Sequence, residues 1–298
     1  MLPAKFEYTS PETLENAVKD LFGDQKAQVL AGSFSLIAAI KKGEITPSLL
    51  VDIKKIPGLR DIEVQPDNSL KIGGMTSYAE IANSSLLKQD YGILAEVAES
   101  IGDPQIRNWE KVGDIFAYRA LSSSFLSAAL VSGAKFELTG VEGSRTVSTE
   151  DFIELAYKSQ WLTKDIITSI SFDSPANRTG YGYQFINHPA SGEPICAVVA
   201  KVELDEERAK LINTRIALAG AISYPIRLSK LESACASLSN PDDVSKLFVG
   251  DITADLSEHP GLRINSDQYA SADYRLHLVG VLTKRALAIA IARAKLTK

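Results

Sequence analysis

The chain is poor in cysteine and histidine. Two cysteines, Cys196 and Cys235, and three histidines, His188, His259 and His277, occur in 298 residues. An iron–sulfur cluster normally takes four cysteine thiolates, so this chain alone does not hold one. The histidines lack the spacing of a zinc-binding helix and read as surface or packing residues. Basic charge is also short: 32 Lys and Arg against 37 Asp and Glu leave a net charge of −5. That gives no electrostatic footprint for nucleic acid. No apolar run approaches the roughly 20 residues that span a bilayer. The start, MLPAKFEYTSPETLENAVKDLF, lacks the charged segment and apolar core of a signal peptide. The expectation is a cytoplasmic protein that engages neither nucleic acid nor membrane. Three fingerprints are missing too: G-x-G-x-x-G after a strand, the NTPase loop G-x-x-x-x-G-K-(S/T), and the hydrolase elbow G-x-S-x-G.

What is present suits a globular protein of two or three compact units, with 45% hydrophobic and 23% charged residues. SPETLENAVKDLFG predicts a helix capped by Ser10, with Pro11 in its first position and a stop at Gly23. Its apolar face comprises Leu14, Ala17, Val18, Leu21 and Phe22. AQVLAG reads as a strand, SLIAAIKKG as a helix, and LLVDI and LRDIEV as strands joined at Pro57-Gly58, followed by the strand SLKIGG. This opening is β-α-β with a crossover. Helices follow in YGILAEVAESIG and SSSFLSAALVSG, then a hairpin in AKFELTGVEGSRTV. The next helix, STEDFIELAY, carries a capping box of Ser148 and Asp151. From about residue 164 strand-like runs succeed one another, which predicts an antiparallel sheet, and a helix over Ala272–Leu296 closes the chain. In YGYQFI, period two puts Tyr181, Tyr183 and Phe185 on one core-facing side. Pro and Gly cluster near residue 175 and mark a domain boundary.

Two glycine-bearing turns stand out: LAGSFSL after a strand and KVGDIFA before a helix. Taken alone, each reads as readily as a structural turn as a ligand site. In order, LAGSFSLIAAIKKGEITPSLLVDIKKIPGLRDI, IGGMTSYAEI, GDPQIRN, VGDIFA, HPASGEPICAVVA and ADYRLHLVGVLTKRALAIA resemble the FAD-binding medium subunit of the molybdenum hydroxylases. The branch of aerobic carbon monoxide dehydrogenase is the nearest likeness, and xanthine dehydrogenase carries an equivalent domain. The match runs from Phe6 to Ala290. It implies an α+β fold: a two-part FAD-binding module of the vanillyl-alcohol-oxidase (PCMH) type over 1–175, with subdomains of about 1–55 and 56–175. A C-terminal domain of antiparallel sheet plus helices would occupy 176–298. It also implies an oxidoreductase subunit that works with a molybdopterin-binding large subunit and a small subunit carrying 2Fe–2S clusters. Electrons would pass from those clusters through FAD to NAD⁺, a quinone or oxygen. The cysteine count agrees, since the clusters would sit in another chain.

The resemblance assigns FAD binding to both turns. The first pattern, A-G-G-(Q/T/H)-(S/D)-L, falls on Ala31, Gly32, Ser33, Phe34, Ser35 and Leu36. The second, R-N-x-G-T-I-G-G-(N/S), falls on Arg107 through Ile115 and so includes Lys111, Val112, Gly113, Asp114 and Ile115. An acidic residue usually follows, but the corresponding YRALSSS has none. The departures cluster here. Ser33 replaces a glycine with bulky Phe34 after it, and Glu110, Lys111, Asp114 and Ile115 replace Gly, Thr, Gly and Asn or Ser. A side chain at positive φ would cost about 1–2 kcal/mol. Asp114 beside a diphosphate would add repulsion of roughly 4 kcal/mol per unit charge at about 4 Å. Lys111 and Arg119 act in the opposite sense, either on a phosphate or by neutralising Asp114 and Glu110. Three readings follow: a flavoprotein subunit, a scaffold whose emptied pocket is filled by Phe34, Trp109 and Ile115, or a binder of another anionic ligand.

Overall fold

The computed structural model describes residues 4–32, 34–114, 123–158, 164–189, 192–246, 252–257, 259 and 261–297. The chain opens with β1 (Glu7–Thr9), α1 (Leu14–Gly23), β2 (Gln28–Leu30), α2 (Phe34–Lys42) and β3 (Leu49–Asp52). Then come β4 (Ile62–Val64), β5 (Leu70–Gly73), α3 (Tyr78–Asn83), α4 (Ser85–Asp90), α5 (Gly92–Ser100) and α6 (Pro104–Trp109). The middle holds α7 (Ser124–Ser132), β6 (Lys135–Gly140), β7 (Gly143–Ser148), α8 (Thr149–Lys158) and β8 (Ile166–Phe172). Last are β9 (Thr179–Asn187), β10 (Pro194–Leu204), β11 (Leu211–Ala219), β12 (Ile226–Arg227), α9 (Ser229–Ala236), α10 (Ile252–Ser257) and α11 (Ala272–Leu296). The class is α+β. The described residues of 1–83, 103–120 and 133–174 form one compact unit, and those of 84–102, 121–132 and 175–298 form the other.

The first unit contains two sheets. Strands β1, β3 and β2 lie side by side and parallel, so β2-α2-β3 is the crossover read from sequence. Its central strand feeds two apolar clusters, because successive residues point to opposite faces. Leu50 packs with Leu36 and Ile40 of α2, while Val51 packs with Ala17, Val18 and Leu21 of α1. Helix α1 begins later than the sequence reading, since the Thr13 hydroxyl, not that of Ser10, accepts the Asn16 N–H at 3.3 Å. Phe22 leaves the core face and is 62% exposed. The second sheet is antiparallel, in the order β4-β5-β8-β6-β7. The strands on either side of Pro57-Gly58 thus fall in different sheets, and DIITSISF joins this sheet rather than the C-terminal one. The capping box forms as read: the Asp151 N–H donates to Ser148 Oγ at 3.0 Å, and the hydroxyl donates to the Asp151 carboxylate at 2.7 Å.

The second unit is built on an antiparallel sheet, β12-β11-β10-β9. Ile195 through Ala200 are all buried, so both faces of β10 are covered. Helix α11 lies on β9 and β10, while α7 packs on β10 and β11. Ser271 caps α11 by accepting the Tyr274 N–H at 3.3 Å. Leu278, Leu282, Ala286 and Ala290 lie on its buried stripe. Tyr183 is in the core at 2% exposure, whereas Phe185 stacks on it at 4.8 Å and stays 41% exposed. The helix sits so close that a Cβ on Gly182 would stand 2.0 Å from Ala286 O. Backbone cannot yield to that contact as a flexible side chain would. Gly182→Val is therefore expected to cost about 3 kcal/mol and to lower the thermal midpoint by about 10 °C. An unchanged midpoint by circular dichroism would refute the packing argument. Among the described residues no helix is long and apolar enough to cross a membrane.

Candidate functional site

The two glycine turns, 77 positions apart at Gly32 and Trp109, meet in space within the first unit. Strand β2 delivers the chain through Ala31 and Gly32 into α2. Gly32 has φ +88°, and a Cβ there would stand 2.2 Å from Trp109 O and 2.9 Å from Lys111 Cγ. Both the backbone angle and the neighbour demand glycine. On the other side, α6 is capped by Asp103, whose carboxylate accepts the Ile106 N–H at 2.9 Å. The helix ends at Glu110, and Lys111–Asp114 follow as a tight turn whose Asp114 N–H donates to Lys111 O at 3.0 Å.

That second turn rests on a third element. The Val112 and Gly113 N–H groups donate to Thr76 O at 2.9 Å and Gly74 O at 2.8 Å. A Cβ on Gly113 would stand 2.8 Å from Gly74 O, and one on Gly74 would stand 2.1 Å from Ile167 O. Gly113 is thus needed for close approach, since its φ is not positive. Four backbone layers stack: the first turn, the second turn, the Gly73-Gly74 turn and β8. IGGMTSYAEI resembles a family block, but the resemblance assigns it no part in the site. The Gly-Gly pair directly after a strand was the available signal. The same block hides a second capping box, in which Glu80 accepts from the Ser77 N–H at 2.8 Å and the Ser77 hydroxyl at 2.7 Å.

The substituted positions behave differently from the sequence expectation. The non-glycine residues at positive φ are Asn68, Arg178 and Arg208 among those described. Glu110 and Asp114, which stand where the pattern has glycine, therefore carry no positive-φ strain, and Glu110 has φ −69°. Val112 and Asp114 are buried, at 0% and 1% exposure. Trp109 is 67% exposed, so it does not fill a pocket. Ser33, Ile115 and Arg119 lie outside the described residues, as does the Phe34 side chain.

Lys111 is half-buried, and one of its ammonium protons goes to Asn108 O at 3.1 Å. Burial pulls its pKa below the ordinary lysine value, Glu80 and Asp114 oppose that, and Arg60 adds to it. Near the turns, Ser35 Oγ in the first turn of α2 and Thr76 Oγ1 beside the second turn are among the hydroxyls shielded from water without a hydrogen-bond partner among the described residues. The opening N–H groups of a helix likewise have no intrahelical acceptor. These donors, with a glycine turn entering a helix, suit an anion such as a diphosphate. A cavity of about 40 Å³ beneath, lined by Ala31, Gly74, Gly113 and Lys164 among others, has room for water and not for a dinucleotide.

Lys164, which sequence reasoning passed over, secures this arrangement. Its ammonium donates to Asp24 O at 3.0 Å, Gln25 O at 2.8 Å and Ala27 O at 3.0 Å. Desolvation lowers its pKa while Asp24 opposes that. All three protons are satisfied by the turn that leads into β2. The residue thereby clips the segment leading into β2, and so toward Gly32, to the segment that starts β8.

Comparison with known proteins gives a consistent result. The family model for the FAD binding domain in molybdopterin dehydrogenase matches residues 4–174. The 6-hydroxypseudooxynicotine dehydrogenase complex subunit alpha of Paenarthrobacter nicotinovorans is 28% identical, across 100% of this chain and 98% of its own. The carbon monoxide dehydrogenase medium chain of Afipia carboxidovorans is 29% identical, across 99% of this chain and 100% of its own. Among solved structures, reconstituted CO dehydrogenase from Oligotropha carboxidovorans superposes with a TM-score of 0.86 at 26% identity, covering 98% of this chain and 100% of that one.

Proposed function

This chain belongs to the family of FAD-binding domains in molybdopterin dehydrogenases, and from that premise we propose that it is the medium subunit of a molybdenum hydroxylase, taking electrons from the iron–sulfur clusters of a partner subunit onto FAD and passing them to an acceptor. The fold is the α+β one of the vanillyl-alcohol-oxidase (PCMH) type, and FAD is the cofactor. The observation that carries the reading is the contact of the two glycine turns at Gly32. We assign residues 1–175, with subdomains of about 1–55 and 56–175, to the FAD module and 176–298 to the C-terminal medium-subunit domain, although the described residues of 84–102 and 121–132 cluster with 175–298 in one compact unit. A molybdopterin-binding large subunit and a small 2Fe–2S subunit are the partners, and the complex works in the cytoplasm.

FAD supplies the redox chemistry when bound. The chain's task is to hold and orient it. By the family pattern Ala31, Gly32, Ser33, Phe34 and Ser35, with Lys111, Val112, Gly113, Asp114 and Ile115, would hold the diphosphate. Since the Val112, Gly113 and Asp114 N–H groups already donate to the Thr76, Gly74 and Lys111 carbonyls, the backbone donors for it would be those at the opening of α2. The Ser35 and Thr76 hydroxyls supply further donors. No side chain acts as general acid or base, and electron transfer requires none. The scaffold and other-ligand readings gain no support, and exposed Trp109 removes one of the three side chains expected to fill the pocket.

A visible absorption spectrum of the purified chain, followed by FAD titration with flavin fluorescence, tests the proposal. The expected result is a flavin spectrum or saturable binding at about 1 µM or tighter, equivalent to about 8 kcal/mol. A colourless, cooperatively folded protein indifferent to added FAD would overturn it.

A further inference from the structure

The second turn carries a cation where the family pattern has a neutral threonine, and its placement is specific. The Lys111 stem crosses directly over Gly32, with Cγ 2.9 Å from where a Gly32 Cβ would stand, so this side chain lies at the junction of the two turns. Its backbone is fixed by pairing with Ser77 and by the Asp114 N–H that returns to Lys111 O. Its ammonium, anchored at Asn108 O, is only partly shielded from solvent. Glu80 attracts it, and Asp114, buried in the same turn, does so more weakly.

We propose that the Lys111 ammonium is a direct charge contact for the cofactor's diphosphate, replacing the neutral donors this turn has lost and offsetting the buried Asp114 carboxylate. The inference rests on the FAD reading above. An ammonium has three donors, and the bond to Asn108 O takes one. A compact point charge needs no particular orientation to serve a phosphate, which suits a turn that no longer offers small residues and hydroxyls. FAD binding by this chain therefore depends on salt, whereas binding of riboflavin, which has no phosphate, does not.

The test uses the full chain and two probes, FAD and riboflavin, each titrated at low and high salt by flavin fluorescence. Lys111→Gln is expected to weaken FAD binding by about 10-fold or more and to flatten its salt dependence. It leaves riboflavin binding unchanged. Lys111→Arg keeps the charge and stays within about 3-fold of the parent. Parent-like FAD affinity and salt dependence in Lys111→Gln would overturn the proposal. If that variant melts early, the parent decides alone, since a FAD affinity no more salt-dependent than that for riboflavin also overturns it. A parent that binds no FAD at any salt sinks the functional reading itself, and this inference with it.

Discussion

Gly32→Val is expected to abolish useful FAD binding, raising the dissociation constant at least about 100-fold, and to destabilise the chain by about 3–4 kcal/mol. Two independent penalties combine. At φ +88° any Cβ is strained, and here it would also be driven to 2.2 Å from a carbonyl oxygen of the second turn. The clash is with backbone, so relief requires the turns to part. Parting them moves Lys111, Gly113 and the opening of α2 away from a common ligand. Gly43→Ala is the matched control. Gly43 also has positive φ, +78°, but a Cβ there meets nothing within 4 Å. It should therefore lose about 1 kcal/mol from strain and bind FAD normally. Thermal melts and FAD titrations on the two variants separate conformational strain from close approach. Parent-like FAD affinity in Gly32→Val would remove the turn contact from the account of binding.

The second large effect is expected at Lys164. Lys164→Met keeps most of the aliphatic stem but withdraws the donor from the carbonyls of Asp24, Gln25 and Ala27. Hydrogen bonds from a charged donor contribute about 1.5–3 kcal/mol each, and carbonyls left without a donor lose more where water does not reach them. Burial of the ammonium offsets part of this, so the net loss should be about 3 kcal/mol. Hydrogen exchange at Gln28 through Ala31 should quicken, because β2 loses its clip. Exposed Lys26 is the control, and its methionine variant should stay within about 0.5 kcal/mol. A Lys164→Met chain with the parent's urea midpoint would show that the carbonyl cage is incidental.

Both effects occur at positions whose importance the sequence showed unequally. Gly32 lies in a block that resembles a family pattern, so its turn was legible, although the reason for the glycine was not. The oxygen that excludes a side chain belongs to Trp109, in a segment that the family resemblance places at the same cofactor but whose own residues give no sign of touching Gly32. Lys164 had no signal at all. Its three acceptors lie 137 to 140 positions away, and one lysine among surface lysines carries no periodicity. Missing glycines at Glu110 and Asp114 would cost strain if φ were positive there, but neither residue is in the left-handed region. The turn's one glycine, Gly113, answers to crowding rather than to handedness.

By itself the sequence determined the features set by neighbours a few residues apart: the Ser148–Asp151 cap, the stripe of α11 from Ala272 to Leu296, the β2-α2-β3 crossover and the two glycine turns. These are short-range consequences of hydrogen-bond reach and side-chain period, so they can be read locally. Tertiary structure alone decided that Thr13 rather than Ser10 starts α1, that Phe22 and Trp109 face water, and that β8 joins the first unit's sheet. It alone brought the Gly73-Gly74 turn under Gly113 and Lys111 across Gly32. Each of those depends on which distant backbone arrives within a few ångströms, and only the packed chain fixes that distance.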